Sequence, residues 1–487
     1  MSGKQLLPLF LTLGAVGCDS SSSASQEETF TPESITAEVQ AVSPATNRAR
    51  QASAAYNSID HYFMIIWNDN TFDPAVETIE LRRANYDGSF GEAIELDSST
   101  DEDLADPTIS FNSTDNTFLT AWEKPITAPA GSDALDKIQL SLVDSDGNIT
   151  SSTTLDIGCA HGDASIEYNS EKNQWLLAWV HNSREAEECS ENPKAGGVYV
   201  QYISADGKPE GEAKLVREEF DSNDVLNQND TDEFTGVHLA YNSQDDQYFL
   251  AWQHNYDSDT SEVPLVRNIF NGLEGQRLDS ELNNLGGLIV IDSVEAYNVN
   301  IDNGEEENLD EPQEISSAYD PASNSYAVTY RTVDYSTFES DNKSTSQIAT
   351  RIISDAGQVG SKLVLAEVEE QGPDYSDRAV DEPTVGYNPA KQNFLITWQQ
   401  SPASDNLENY DYDIYSAELE PDGTLSEPKL EVSNSGINDM KANDIHEDVV
   451  CNNFVCLLLW QETTDLEGGE GNIPRVINFK FINYLEE

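Results

Sequence analysis

Basic residues are scarce in this 487-residue chain: 25 Lys and Arg stand against 90 Asp and Glu, for a formal net charge of −65. A surface of that sign repels the phosphates of DNA and RNA and anionic lipid head groups, which excludes nucleic-acid partners and electrostatic membrane binding. Cysteine is rare, with 5 residues, and their spacings match no zinc site. Beyond the N-terminus no apolar run is long enough to cross a bilayer. Gly-x-Ser-x-Gly, a phosphate-binding loop, His-Glu-x-x-His and the dinucleotide fingerprint are all missing, so none of the chemistries those spacings serve can be assigned. Methionine is down to 3 residues, whereas 20 Tyr, 16 Phe and 7 Trp favour strands over helices.

The N-terminus reads as a targeting segment. Lys4 gives a positive start, Leu6 to Val16 is apolar, and Gly17-Cys18 follows, too short a run for a spanning helix. Ala15-Val16-Gly17-Cys18 resembles the bacterial lipobox, with Ala15 where a Leu is usual. The resemblance implies a signal peptide over residues 1–17, lipidation of Cys18, and a serine-rich tether over 18–32. A plain signal peptide cleaved elsewhere is the alternative. Lipidation leaves Cys159, Cys189, Cys451 and Cys456, an even number that favours disulfides in an exported chain.

One phrase recurs along the remaining sequence: Tyr-Asn, a polar turn, an aromatic, apolar residues, then Trp. It runs from Tyr56 to Trp67, Phe111 to Trp122, Tyr168 to Trp179, Tyr241 to Trp252, Tyr319 to Tyr330 and Tyr387 to Trp398. A seventh copy, Cys451 to Trp460, is shortened in its turn. Each copy is strand-like on both sides of its turn, and a second hairpin follows, punctuated at Asp87-Gly88, Asp146-Gly147, Asp206-Gly207, Asn271-Gly272, Asp355-Ala356-Gly357 and Asp422-Gly423. Four antiparallel strands per unit at this period indicate a repeat architecture. The units resemble the blades of a seven-bladed β-propeller, which implies one all-β domain over residues 33–487. The last unit lacks its fourth strand, and Ser34 to Val39 is the spare strand expected to close the ring. Cys451 and Cys456 replace two aromatics that face each other in the other hairpins, which predicts a cross-strand disulfide. Cys159 and Cys189 are expected to form the second.

The propeller expectation puts the variable lengths on one face. They comprise Asn68 to Pro74, Glu123 to Asp136, Val180 to Gly196, Gln253 to Glu262, Arg331 to Ser346 and Gln399 to Asp411, with Glu218 to Phe234, Leu282 to Pro312 and Glu367 to Asp381 between units. Five residues before the first aromatic of each phrase stand Gln51, Asp106, Asp163, Gly236, Glu314, Glu382 and His446, which should ring the channel mouth. Asp106, Asp163, Glu314 and Glu382 there suit a cation such as Ca2+ or a polyhydroxylated ligand. His161 and His446 are the histidines near that rim, able to serve as a base or simply to hydrogen-bond structurally. The abundant acids equally suit a solvated surface in salty water. The expected protein is a monomer of the bacterial cell envelope, periplasmic or at the cell surface, that touches membrane by its lipid anchor alone. It is read as binding a protein or glycan partner through the loop-rich face. The alternative is a polysaccharide- or ester-processing lyase or hydrolase at the channel mouth, with no cofactor required and Ca2+ the candidate where one is used.

Overall fold

The computed structural model describes residues 30–72, 74–100, 104–126, 135–155, 164–181, 196–218, 231–259, 266–300, 313–334, 343–371, 380–401, 413–432, 448–463 and 474–485. Met1–Glu33 and Ser34–Glu487 are separate compact units, and every described strand lies in the second. The described residues contain strands and no helix. Five sheets are four-stranded and antiparallel, each built from consecutive strands. The sixth has eight strands: Arg48–Asn57 with its three successors, joined by a single parallel bridge, Arg48 to Arg475, to a group made of Asp448–Cys451, Val455–Thr463, Arg475–Asn483 and Gln40–Ala41.

Each repeated phrase is the first hairpin of a four-strand group. Its opening aromatic faces the aromatic after the turn, as in Tyr56 with Phe63, Tyr168 with Trp175 and Tyr387 with Phe394. In the seventh copy Cys451 faces Cys456 and the two are disulfide-bonded, with Cα atoms 3.9 Å apart. The continuous apolar run of the second strand is buried on both faces. Trp175, Leu177 and Trp179 pack with Leu119 and Leu140 of the preceding sheet, while Leu176, Ala178 and Val180 pack with Leu239 and Leu250 of the following one. At about 1.5–3 kcal/mol per large side chain, this sheet-on-sheet burial is the main cohesive term.

The first strands stand side by side in chain order, and that of the seventh repeat packs beside that of the first. One hydrogen bond recurs between them. The side chain three residues before the opening aromatic accepts from the next strand's amide two residues before its own aromatic. Ser165 Oγ accepts from Leu239 at 3.1 Å, His238 Nδ1 from Ser317 at 3.3 Å, Ser316 Oγ from Val385 at 3.2 Å and Asp448 Oδ2 from Ala54 at 2.9 Å. The last of these joins the end of the chain to its beginning. Sheets that follow one another and stack around their first strands are the architecture of a β-propeller.

The motif's Asn does more than make a turn. Asn57 Oδ1 accepts the amides of Ile59 and Asp60 at 2.9 and 2.7 Å, and its Nδ2 donates to Asn116 Oδ1 in the next repeat at 2.8 Å. The same clamp joins Asn112 to Asn173, Asn169 to Asp246 and Asn242 to Asn324. Asp320 has no N–H to donate, and instead bonds to the Tyr387 hydroxyl. Asn242→Asp should therefore cost about 1–3 kcal/mol in urea unfolding, because it sets a carboxylate against the Asn324 carbonyl oxygen. An Asp320→Asn variant of equal or greater loss would refute that account.

Three sequence expectations are corrected. The strand paired with Arg475–Asn483 is Gln40–Ala41, not Ser34 to Val39. Its anchor is Val42, 1% exposed, whereas Val39 is 47% exposed. Asn271-Gly272 lies inside the strand Val266–Leu278, and the turn comes later, where the Asp279 amide bonds to the Asn283 carbonyl at 2.9 Å. There Leu282 takes the left-handed φ of 65° that Gly147 takes, at 89°, in the second repeat. Leu282 is only 7% exposed, and its burial offsets the strain. Finally, several expected loops are strand. Tyr62–Phe72 and Ala75–Ala84 nearly meet, Gln247–Asp259 covers much of Gln253 to Glu262, and Asn284–Asn300 covers much of Leu282 to Pro312. The larger part of the other expected face loops lies outside the described residues.

Candidate functional site

At the position five before the opening aromatic, the first strand breaks register with its partner in the five copies where that position is described. The residue there is left-handed in every described copy: φ is 53° at Gln51, 48° at Asp106, 52° at Gly236, 52° at Glu314 and 46° at Glu382. Only Gly adopts that region freely, and the others carry strain of about 1 kcal/mol or more each. Such a bulge re-aims its side chain. All five residues line one cavity of about 500 Å³, together with Ser53, Thr108, Ser165, His238, Thr384 and Asp448 deeper in.

Neighbouring rim residues are bonded to one another. Gln51 Oε1 accepts the Asp106 amide at 3.2 Å while its Nε2 donates to the Asp106 carboxylate. Glu314 Oε2 accepts the Glu382 amide at 3.0 Å. Asp381, the residue before the bulge in the sixth repeat, completes an acidic group. One oxygen each of Glu314, Asp381 and Glu382 lies within 4.8 Å of the others. The Arg331 guanidinium stands 3.9 Å from Glu314 and 3.5 Å from Asp381. Asp381 is 4% exposed, and burial with Glu314 beside it raises its carboxyl well above the usual range. Burial, the charge of Glu314 and the hydrogen bond with it together favour the protonated form of Asp381, against the pull of Arg331. Ca2+ asks for six to eight oxygens. Arg331 already supplies one positive charge to Glu314 and Asp381, and three carboxyl groups are a sparse oxygen set, so the group suits calcium poorly.

Below the rim the wall is mostly hydroxyl. Two of the described wall positions titrate. Burial lowers His238 to about 4, so its ring stays neutral and Nδ1 is free to accept the Ser317 amide. Burial raises Asp448 to about 6, opposed by the Ala54 amide and the Ser53 hydroxyl that it accepts. Further along, Glu167 is pushed up to about 8 by burial.

Of the residues singled out by position, Asp106, Glu314 and Glu382 reach the rim, and the structure gathers Glu314 and Glu382 into one group while Asp106 pairs with Gln51. Cys18, Cys159, His161, Asp163, Cys189 and His446 lie outside the described residues. Asp381, Arg331, His238, Asp448 and Glu167 escaped the sequence reading. Their signal was departure from the aligned repeat: Asp448 and His238 stand where most copies have Ser or Thr, and Glu167 where the others have small or aliphatic residues.

No family model and no curated protein matches the chain. Among solved structures, an α-L-arabinofuranosidase from Fusarium graminearum, solved with an iminosugar inhibitor, is 10% identical over 92% of this chain and 97% of its own, at a TM-score of 0.40. An exo-β-1,3-galactanase from Clostridium thermocellum is 10% identical over 90% and 96%, at 0.35. A member of the duf4221 family from Bacteroides vulgatus is 9% identical over 75% and 90%, at 0.33. At this level of likeness neither site nor substrate carries over to the chain.

Proposed function

We propose that this protein is an exported, lipid-anchored enzyme that processes a glycan at the acidic mouth of a closed seven-bladed propeller. The side-by-side first strands, and the Asp448–Ala54 bond that repeats the internal junctions, support the closed ring. The single parallel bridge at Arg48 is too slight to make one blade of eight strands. The lipobox-like Ala15-Val16-Gly17-Cys18 supports export and anchoring in the bacterial envelope.

The observation that carries the activity is the Glu314–Asp381–Glu382 group with Arg331, at the end of a cavity of about 500 Å³. Cleavage of a glycosidic bond needs one carboxyl that still holds its proton and another that has lost it. Glu314 and Glu382 line the cavity and meet the substrate, whereas Asp381 lies behind them. In this proposal Glu314, sharing the proton with Asp381, protonates the departing oxygen, and Glu382 acts as the opposing carboxylate. Asp381 and Arg331 position them. The hydroxyls of Ser53, Thr108, Ser165 and Thr384 offer bonds to a polyhydroxylated ligand deeper in the channel. A module that binds a partner through its loops would use segments outside the described residues.

The test is a panel of neutral and acidic polysaccharides incubated with the full chain, read by reducing-end release. Glu314→Gln and Glu382→Gln should each lower kcat/KM by about 100-fold or more on whichever substrate is cleaved. Absence of cleavage across the panel, or full activity in both variants, defeats the proposal.

A further inference from the structure

The repeat accounts for nearly all of the channel wall, but not for Glu167. The residue before the opening aromatic is small or aliphatic in the other copies: Ala55, Ser110, Ala240, Ala318, Gly386 and Val450. Space there is tight in places, since a Cβ on Gly386 would come within 2.6 Å of the Val449 carbonyl. Glu167 nevertheless opens onto a second cavity of about 490 Å³ at the other end of the channel from the acidic rim, five residues further along each first strand.

That mouth is aromatic. Tyr56, Phe111, Tyr168, Tyr241, Tyr319 and Tyr387 all line it and are all half-buried. Tyrosine hydroxyls are turned to the hairpin turns: that of Tyr168 lies within hydrogen-bond reach of Thr114 and Asn173, that of Tyr241 of Asn169 and Asp246, and Tyr319 donates to Asn324. Among the described residues, none that lines it is Lys or Arg. The other titratable groups on this cavity are the tyrosines, His238 and Asp448. His238 is neutral, and Asp448 is occupied by Ser53 and Ala54. Among the described residues the Glu167 carboxyl has no side-chain partner, only the amide of Tyr168 beside it.

We propose that this aromatic mouth binds a small organic ammonium ion, with Glu167 as its counter-ion and the surrounding rings presenting their faces to the cation. A lone carboxylate is too few oxygens for Ca2+ or Mg2+, which take six or more. One carboxylate among aromatic faces is instead the environment that a desolvated alkylammonium ion prefers. Left empty, the buried carboxyl keeps its proton near neutral pH; an arriving cation ionises it, so binding releases a proton. The site is separate from the acidic rim and does not depend on the activity proposed there.

The experiment is calorimetric titration of the full chain with tetramethylammonium chloride at about pH 7. It is run in about 0.5 M NaCl, which screens the general attraction of so acidic a surface. Two buffers of different protonation enthalpy count the protons. Saturable binding at one site, with release of close to one proton, is expected. Glu167→Gln should weaken it by about 30-fold or more. Glu167→Ala, which installs the residue that three other repeats carry, serves as a second variant whose folding is expected to be intact. No saturable binding, or equal affinity in both variants, overturns the proposal. Equal affinity for neutral tert-butanol makes the mouth an apolar pocket only, and equal affinity for K+ makes it an inorganic cation site; either result also overturns it.

Discussion

Glu167→Ala should stabilise the chain by several kcal/mol at pH 9 and scarcely change it at pH 4. The sign follows from burial, which raises this carboxyl from 4.5 to about 8 in the folded chain. The folded protein therefore holds the proton more tightly than the unfolded one. Its contribution to stability is complete below about pH 4.5 and is lost as pH rises through about 8. At 1.36 kcal/mol per unit, the loss approaches about 5 kcal/mol, an upper figure because the side chain is partly open to the channel. Urea unfolding of the two proteins across this range measures it directly. Asp448 adds the same sign in a lower, overlapping window, between its ordinary 3.8 and about 6, so of these two only Glu167 contributes slope above about pH 6. A wild-type-minus-variant difference that stays flat from pH 4 to 9 would show that Glu167 is solvated like any surface acid. Tetramethylammonium should shrink the difference at high pH, since it supplies the missing positive charge.

Val42→Asp should cost about 3–5 kcal/mol, while Val39→Asp, three residues away, should change stability by no more than about 0.5 kcal/mol. Val42 lies among Ile477, Phe479 and Tyr86. Its amide donates to the Ile477 carbonyl at 2.7 Å and its carbonyl accepts from Arg82 at 2.7 Å. A carboxylate cannot be desolvated in that place, so the segment will peel off and leave the outer edge of Arg475–Asn483 bare. The measurement is denaturant unfolding with limited proteolysis near residues 34–47. Equal behaviour of the two variants would mean that the N-terminal segment does not hold the last sheet.

Much of this arrangement was legible because packing forces repetition. Seven copies of one hairpin must each bury a strand on both faces, which is why Trp175 to Val180 reads as an unbroken apolar run. The disulfide was legible because Cys451 and Cys456 fall where every other copy has facing aromatics. Glu314 and Glu382 were legible by position, but their left-handed backbone and their grouping were not. That grouping depends on Asp381 and Arg331, each at a place where the other repeats carry unrelated residues, and brought together only when two sheets stack. Asn271-Gly272 misled because turn composition is a local signal. The register of Gln247–Asp259 against Val266–Leu278 is fixed by the sheet, and the true turn shows itself as Asp279…Leu282-Asn283, a frame shared with Asp144…Gly147-Asn148. The N-terminal strand was expected one step early, because Ile35, Ala37 and Val39 alternate more strongly than Gln40-Ala41-Val42, yet only Val42 fits between Ile477 and Tyr86.

The pairing of Gln40 and Ala41 with Phe479 and Asn478 also sets a timetable. During synthesis the first of these segments emerges long before its partner exists, at about 5–20 s for each hundred residues. The intermediate sheets can form and stack as they appear, but the outermost place beside Arg475–Asn483 cannot be filled before that strand has been made. Pairing Gln40 with Phe479 then closes a long loop, and its closure entropy makes it the contact expected last. A circular permutant that begins at Arg48 and carries residues 34–47 after the native C-terminus would turn that final closure into a local hairpin. It should reach the same native structure with a faster last folding phase.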